Sequence, residues 1–253
     1  MARVVAIANQ KGGVGKTATT ANLGIALSRL GRRILVVDMD PQGNLTASFG
    51  VQDRIKHTVA DALLDRNQPL PTINVQSTLE GCLDLTPSNA SLAAAESSLS
   101  NKLGREFRLR DVLAGLADRF EIILIDTPPS LGLLTVNSLV AASRVIVPTE
   151  ARFFSLQGLQ GLEDTISEVQ YLNPDLKILG ILLSKLDRRL KEEQTVSSYL
   201  REKWGELVFT TEVGTNSKIL EAASSGVPVS DIAGGTKAAE LYGELAQEVL
   251  ERG

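Results

Sequence analysis

Two lysines frame a run of glycines in Lys11-Gly12-Gly13-Val14-Gly15-Lys16-Thr17, directly after an apolar segment. Glycines so placed let backbone N–H groups turn inward, and a helix starting at the end of the run adds a partial positive charge. Both features suit a phosphate group. Lys16 would then reach the β- and γ-phosphates of a nucleotide, and the Thr17 hydroxyl would ligate Mg2+. The usual pattern for such a loop, G-x-x-x-x-G-K-[ST], wants glycine where this chain has Gln10, and Lys11 is an additional charge. A glycine-rich turn without a ligand is the bland alternative. The order strand, loop, Gly-Lys-Thr, helix weighs against it.

Carboxylates complete the constellation. "ILVVDMDPQ" ends an apolar run on Asp38 and Asp40, and "IILIDTPPS" ends another on Asp126, as a Walker B aspartate should be placed. Such residues either hold a metal and its waters or cap the next helix. Thr17, Asp40 and Asp126 are the metal candidates, while Asp38 is a candidate for a structural role. Phosphoryl transfer needs orientation and charge neutralisation more than a strong base, so a carboxylate of ordinary pKa can orient water; Asp40 is assigned that task. His57, the only histidine, falls in an irregular stretch and reads as a surface residue.

The elements that must carry these residues follow from the apolar runs. "RVVAIA" (3–8), "RILVVD" (33–38), "EIILID" (121–126), "RVIVPT" (144–149) and "KILGILLS" (177–184) read as buried strands of a parallel sheet. Between them, "GKTATTANLGIALSRLG" (15–31) and "SLQGLQGLEDTISEVQYL" (155–172) carry helical spacing. The expected fold is α/β, a doubly wound and mostly parallel sheet with helices on both faces. Its ligands bind beyond the carboxyl ends of the strands. Residues 50–105, with Pro69, Pro71 and Pro87, read as an insertion packed on the sheet with one short strand near 82–87. With no repeats and no evident linker, residues 1–253 are expected to form a single domain.

Composition removes other classes. A chain of 253 residues with 43% hydrophobic content can bury one large core. Cys82 is the only cysteine, so neither an internal disulfide nor a multi-thiolate metal or iron–sulfur site can form within the chain. The apolar run at the start is too short for a signal peptide, and no run of about 18 apolar residues occurs. A soluble cytoplasmic protein is expected. The net charge of −4 argues mildly against nucleic acid as the main partner, without excluding a local basic patch.

Together, "KGGVGKT", "VVDMDPQGN", "LIDTPPSLGLLTVNSL", "KILGILLSKLDRR", "LDLTPSNASLAAAE" and the final "TKAAELYGELAQEVL" resemble the ParA branch of the deviant Walker A ATPases, P-loop NTPases that also include MinD. The likeness runs nearly end to end and is to the small ParA proteins that lack an N-terminal helix-turn-helix domain. It implies a slow, partner-stimulated ATPase using ATP and Mg2+, with Lys11, Lys16, Asp40 and Asp126 as its catalytic set. Nucleotide contacts are implied along Lys11, Gly12, Gly13, Val14, Gly15, Lys16, Thr17 and Ala18, with "TPPS" (127–130) as a γ-phosphate-sensing switch. Adenine contacts are implied at Ser184 and at Gly214, where the family's usual proline and following arginine are Gly214 and Thr215. Lys11 stands at the family's signature lysine, which reaches across an ATP-dependent homodimer to the partner's phosphates. That role answers why a second lysine is needed: two facing triphosphates repel, and a lysine from each side offsets the repulsion. The alternative is that Lys11 contacts only its own ATP or solvent.

The resemblance further implies non-specific double-stranded DNA binding in the ATP state, a ParB-like adaptor, and a nucleoid-associated protein that partitions a chromosome or plasmid. Basic residues cluster late in the chain: Lys185, Arg188, Arg189, Lys191, Lys218 and Lys237. Arg188, Arg189, Lys218 and Lys237 are the DNA candidates. A solvated helix face interleaved with Glu192, Glu193 and Glu202 is the competing explanation. Positioning of a protein cargo shares all these motifs, and metabolic amide-forming relatives fit only if Lys11 is incidental. Membrane attachment of the MinD type is disfavoured, because "AAELYGELAQEVLERG" has an acidic polar face.

Overall fold

A computed structural model describes residues 2–77 and 82–252. Residues 78–81, inside the irregular stretch, lie outside the described residues. In chain order the elements are β1 (Arg3–Ile7), α1 (Lys16–Arg29), β2 (Arg33–Asp38), α2 (Asn44–Ala47), α3 (Val59–Leu64), β3 (Ile73–Ser77), β4 (Cys82–Thr86), α4 (Ser91–Leu99) and α5 (Arg108–Ala114). The second half continues through β5 (Ile122–Asp126), α6 (Leu133–Ala141), β6 (Arg144–Glu150), α7 (Phe153–Val169), β7 (Lys177–Leu186) and α8 (Lys191–Trp204). It closes with β8 (Val213–Gly214), α9 (Ser217–Ser225) and α10 (Thr236–Arg252).

The eight strands form one sheet in the order β3-β4-β2-β5-β1-β6-β7-β8, parallel throughout except for the antiparallel pair β3 and β4. The five apolar runs are therefore its central strands, with ends within two residues of expectation. The irregular stretch differs from expectation. It supplies β4 as a parallel neighbour of β2 and adds an antiparallel edge strand, β3, rather than only packing on the sheet.

Alternation along the strands divides the core. Val5, Ile7, Ile34, Val36 and Leu124 face α1, α9 and α10, whereas Ala6 and Ala8 face α6, α7 and α8, and Leu35, Val37, Ile123 and Ile125 face α3, α4 and α5. Burial on both faces explains why the strands read as continuous apolar runs. Each fully buried Val, Leu or Ile contributes about 1.5–3 kcal/mol. On the first face, α10 covers α1. Its buried Tyr242 is bonded through its side chain to Thr19, and burial pushes the phenol up to about 12.

One proline inside a central strand needs explanation. β1 pairs with β6 only as far as Ile146, so Pro148 lies past the end of its neighbour and removes no bond on that side. β1 stops at Ile7 and turns into the glycine run, while β6 continues alongside to Glu150. The Asn9 amide clamps that turn to the Pro148 carbonyl at 2.7 Å.

Candidate functional site

Residues 8–15 join β1 to α1 at the carboxyl end of the sheet. The Lys11 amide donates to the Asn9 side-chain oxygen at 2.9 Å, which starts the turn. Gly13 and Gly15 have φ of +75° and +93°, a region that L side chains rarely occupy. Gly15 caps α1 with no side-chain hydrogen bond, and no acidic residue stands in the first turn. Val14 is fully buried and anchors the loop from below. Gly12 and Gly13 are exposed, so the loop presents backbone to the outside. An uncapped helix start behind a glycine cradle fits a phosphate anion.

Lys16 is buried, and its ammonium donates to the Lys11 carbonyl at 3.2 Å, curling back along the loop. Burial lowers its pKa first, and the charges of Asp126 and Asp40 oppose that shift. Thr17 and Ala18, both half-buried, form the first turn of α1.

The carboxylates converge because strand register brings them together. Asp38 and Asp126 are paired positions of β2 and β5, and Ile7 pairs with Asp126 from the other side. Asp126 is fully buried and accepts from the Thr17 hydroxyl at 2.7 Å, with the Thr20 hydroxyl 3.4 Å from its other oxygen. Desolvation drives its pKa well up, and the nearby Asp38 charge adds to this; the Thr17 bond and Lys16 work against it. A buried carboxylate that shares a hydroxyl with the helix start is a donor set suited to a divalent cation, which would relieve the desolvation penalty. Thr17 and Asp126 thus fit Mg2+.

Asp38 does different work. Its carboxylate accepts from the Thr46 amide at 2.8 Å, the Thr46 hydroxyl at 2.7 Å and the Asp40 amide at 3.1 Å, which tethers α2. Burial raises it to about 6. Asp40 is 8% exposed, and one carboxylate oxygen accepts from the Gln42 amide at 2.9 Å.

Lys11 stands at the loop's outer rim. Its ammonium pairs with Glu150 at 2.8 Å, and its side chain is 37% exposed. The other Glu150 oxygen is 4.0 Å from the Lys185 ammonium. Neither Glu150 nor a loop-facing Lys185 was evident from the sequence. The only hint was a carboxylate ending the apolar β6, and Lys185 stood out in the sequence only as one of the late basic cluster, not as a DNA candidate.

Ser184 is buried, and its hydroxyl lies 2.6 Å from the Val14 carbonyl and 3.2 Å from the Thr149 carbonyl, tying the end of β7 to the loop. Gly214 lies beside it, opposite Leu186 in β8. His57 is exposed.

The basic candidates are mostly paired. Arg188 binds Glu212 at 2.7 Å, Arg189 binds Asp187 at 2.7 Å, and Lys218 binds Glu221 at 2.7 Å. The interleaved glutamates expected to neutralise them are not their partners; Glu193 is buried and accepts from the Asp187 amide. Lys237 is exposed and, among the described residues, forms no ion pair. No described helix is long and apolar enough to cross a membrane.

Comparison with known proteins agrees with this geometry. The family described as "AAA domain" matches residues 2–178. The sporulation initiation inhibitor protein Soj of Bacillus subtilis is 40% identical, with 100% of each chain covered. The chromosome partitioning protein ParA of Myxococcus xanthus is 42% identical over 99% of this chain and 88% of its own length. A solved structure described as cobyrinic acid a,c-diamide synthase from Mycobacterium smegmatis, with bound ATP analog and magnesium, superposes with a TM-score of 0.84 at 38% identity. That match covers 99% of this chain and 95% of the other.

Proposed function

The chain belongs to the ParA family of partition ATPases, and from that membership we propose an ATP-driven dimerisation switch that binds DNA without sequence preference and partitions a chromosome or plasmid. ATP with Mg2+ is its fuel. Lys16 and the loop amides hold the phosphates, Thr17 and Asp126 hold the ion, and Asp40 orients the attacking water. When bound, Mg2+ supplies charge neutralisation at the β- and γ-phosphates. Hydrolysis is slow until an adaptor of the ParB type stimulates it. The protein acts in the cytoplasm on the nucleoid.

The observation that carries this reading is Lys11. It stands at the rim with its ammonium held by Glu150 rather than folded into its own loop, as Lys16 is. A rim lysine on an exchangeable carboxylate can be handed to a second subunit's triphosphate, which couples fuel state to pairing. DNA contacts then double on dimerisation. Arg188, Arg189 and Lys218 exchange Glu212, Asp187 and Glu221 for phosphates, and Lys237 joins them. Binding measured with ATP, ADP and no nucleotide across a salt series tests this. Retention that is strong and salt-sensitive only with ATP is expected, and equal retention in all three states refutes it.

Amide formation is a second reading, favoured by the likeness to the Mycobacterium smegmatis structure described as a cobyrinic acid a,c-diamide synthase. Cys82 speaks against a glutaminase nucleophile in this chain. It pairs with Arg33 at the start of β2, the sheet end opposite Asp38, and burial followed by the Asp84 charge raises its thiol pKa. ATP turnover without an amide acceptor, accelerated by DNA and an adaptor, supports partition. Turnover that strictly requires a carboxylate acceptor and ammonia supports the rival.

A further inference from the structure

Lys185 is the one non-glycine residue among those described with a left-handed backbone, at φ 54°. Side chains adopt that conformation rarely, and such residues gather at functional sites. It is held there from two sides. The Ser184 hydroxyl is bonded within the loop–strand junction at the Val14 carbonyl, and the Thr215 hydroxyl donates to the Lys185 carbonyl at 3.1 Å. The Lys185 ammonium shares neither Glu212 nor Asp187, the partners of Arg188 and Arg189. It points at the phosphate loop instead: a methyl group placed on Gly13 would lie 4.0 Å from the Lys185 ammonium.

We propose that Lys185 is a phosphate-binding residue of the nucleotide site and that it grips the phosphate nearest the base. This rests on the phosphate-loop reading given above. Sheet order decides which phosphate. The carboxylates of the metal-side cluster stand on β2 and β5, to one side of β1, whereas β6, β7 and β8 lie on the other. Ser184 and Gly214, where the family resemblance implies adenine contacts, are on that second side. A nucleotide laid along the loop therefore runs from β7 and β8 towards β5 and β2, and Lys185 meets its base-proximal end. Glu150 acts as a positioning residue. It lies opposite Ser184 in the β6–β7 register and holds the Lys185 ammonium 4.0 Å away, over the loop. The polyphosphate tail as a whole carries more negative charge than one shared carboxylate, and its base-proximal oxygens then draw the ammonium the remaining distance.

The base-proximal phosphate is common to ATP and ADP, and this defines the test. Lys185→Gly keeps the left-handed backbone while deleting the charge, so the fold is retained and the thermal midpoint does not fall. Titration calorimetry on the full chain should show ATP and ADP bound about tenfold or more weakly, to a similar degree, the loss of one charge-assisted contact. Lys185→Arg should restore most of the affinity. Unchanged affinities in Lys185→Gly, with binding abolished in Lys16→Ala, overturn the assignment while leaving the loop reading intact. Weakening of ATP alone overturns the base-proximal placement. Loss of DNA retention with normal nucleotide affinity overturns the assignment and places Lys185 with the DNA candidates instead. Normal affinity in both Lys185→Gly and Lys16→Ala removes the loop reading and the proposal together.

Discussion

Replacing Glu150 by glutamine should make the ATP-bound protein pair more tightly. In the single subunit Lys11 is held at 2.8 Å by a carboxylate whose side chain is 13% exposed, while the lysine is 37% exposed. A charge-assisted bond contributes about 1.5–3 kcal/mol, and an exposed ion pair about 0–1. Discounting for the exposed lysine leaves about 1 kcal/mol per subunit. Each dimer must release two such lysines, so Glu150 opposes pairing by about 2 kcal/mol, about thirtyfold in the dissociation constant. Lys185, 4.0 Å from the same carboxylate, takes over part of the bond once Lys11 leaves and reduces the net effect. The expected gain is therefore about three- to thirtyfold. Sedimentation equilibrium at saturating ATP and Mg2+, in an Asp40→Ala background that blocks turnover, reads it directly. The gain must vanish when Lys11→Ala is added, since the two residues then have nothing to exchange. An equal or weaker dimer in Glu150→Gln, with an unchanged thermal midpoint, refutes the handover of Lys11.

Four further outcomes are expected. Lys16→Ala should abolish ATP binding by calorimetry, because the buried ammonium is the loop's own charge; normal affinity would contradict the loop assignment. Asp40→Ala should give a stable ATP dimer by light scattering with turnover lost, and a dimer that dissociates at the usual rate would remove Asp40 from the water-orienting role. Arg189→Glu should weaken DNA retention and lower the salt slope by about 1.8 per dimer while ATP-dependent pairing persists, as two phosphate contacts are lost. In chelator, stability should fall as pH rises through about 4 to 6, because folding lifts the Asp38 carboxyl from 3.8 to about 6 and only the folded state keeps its proton there. The loss is on the order of 3 kcal/mol, and denaturant unfolding of Asp38→Asn should show a shallower slope in that window. Identical slopes would mean that Asp38 titrates normally.

The site's centre could be read from the chain because it is built on local order. An apolar strand, a glycine run and Gly-Lys-Thr are contiguous, and Asp38, Asp40 and Asp126 each end a run of buried residues. The rim could not be read that way. Glu150 and Lys185 meet only because β6 and β7 pair in one register, with Glu150 opposite Ser184, and no local pattern encodes that register. β3 was missed for another reason: its Ile73 and Val75 alternate with Asn74 and Gln76 on a sheet edge, after two prolines, so the stretch lacks the all-apolar signature of the inner strands. The basic cluster was found as composition, while its true counter-charges were not. Glu212 reaches Arg188 from 24 positions away in the chain, beyond any helical spacing.

The contact of Tyr242 with Thr19 joins the last described helix, of 17 residues, to the turn just after the phosphate loop. The loop's supporting helix thus waits for nearly the whole chain to be translated before it is covered on that side. β1 likewise must wait for β5 and β6, more than a hundred positions later, to flank it. A polypeptide still on the ribosome carries all the fuel-binding letters yet lacks the scaffold that sets them. The phosphate-loop residues are therefore synthesised well before the strands that flank them and the helix that covers them.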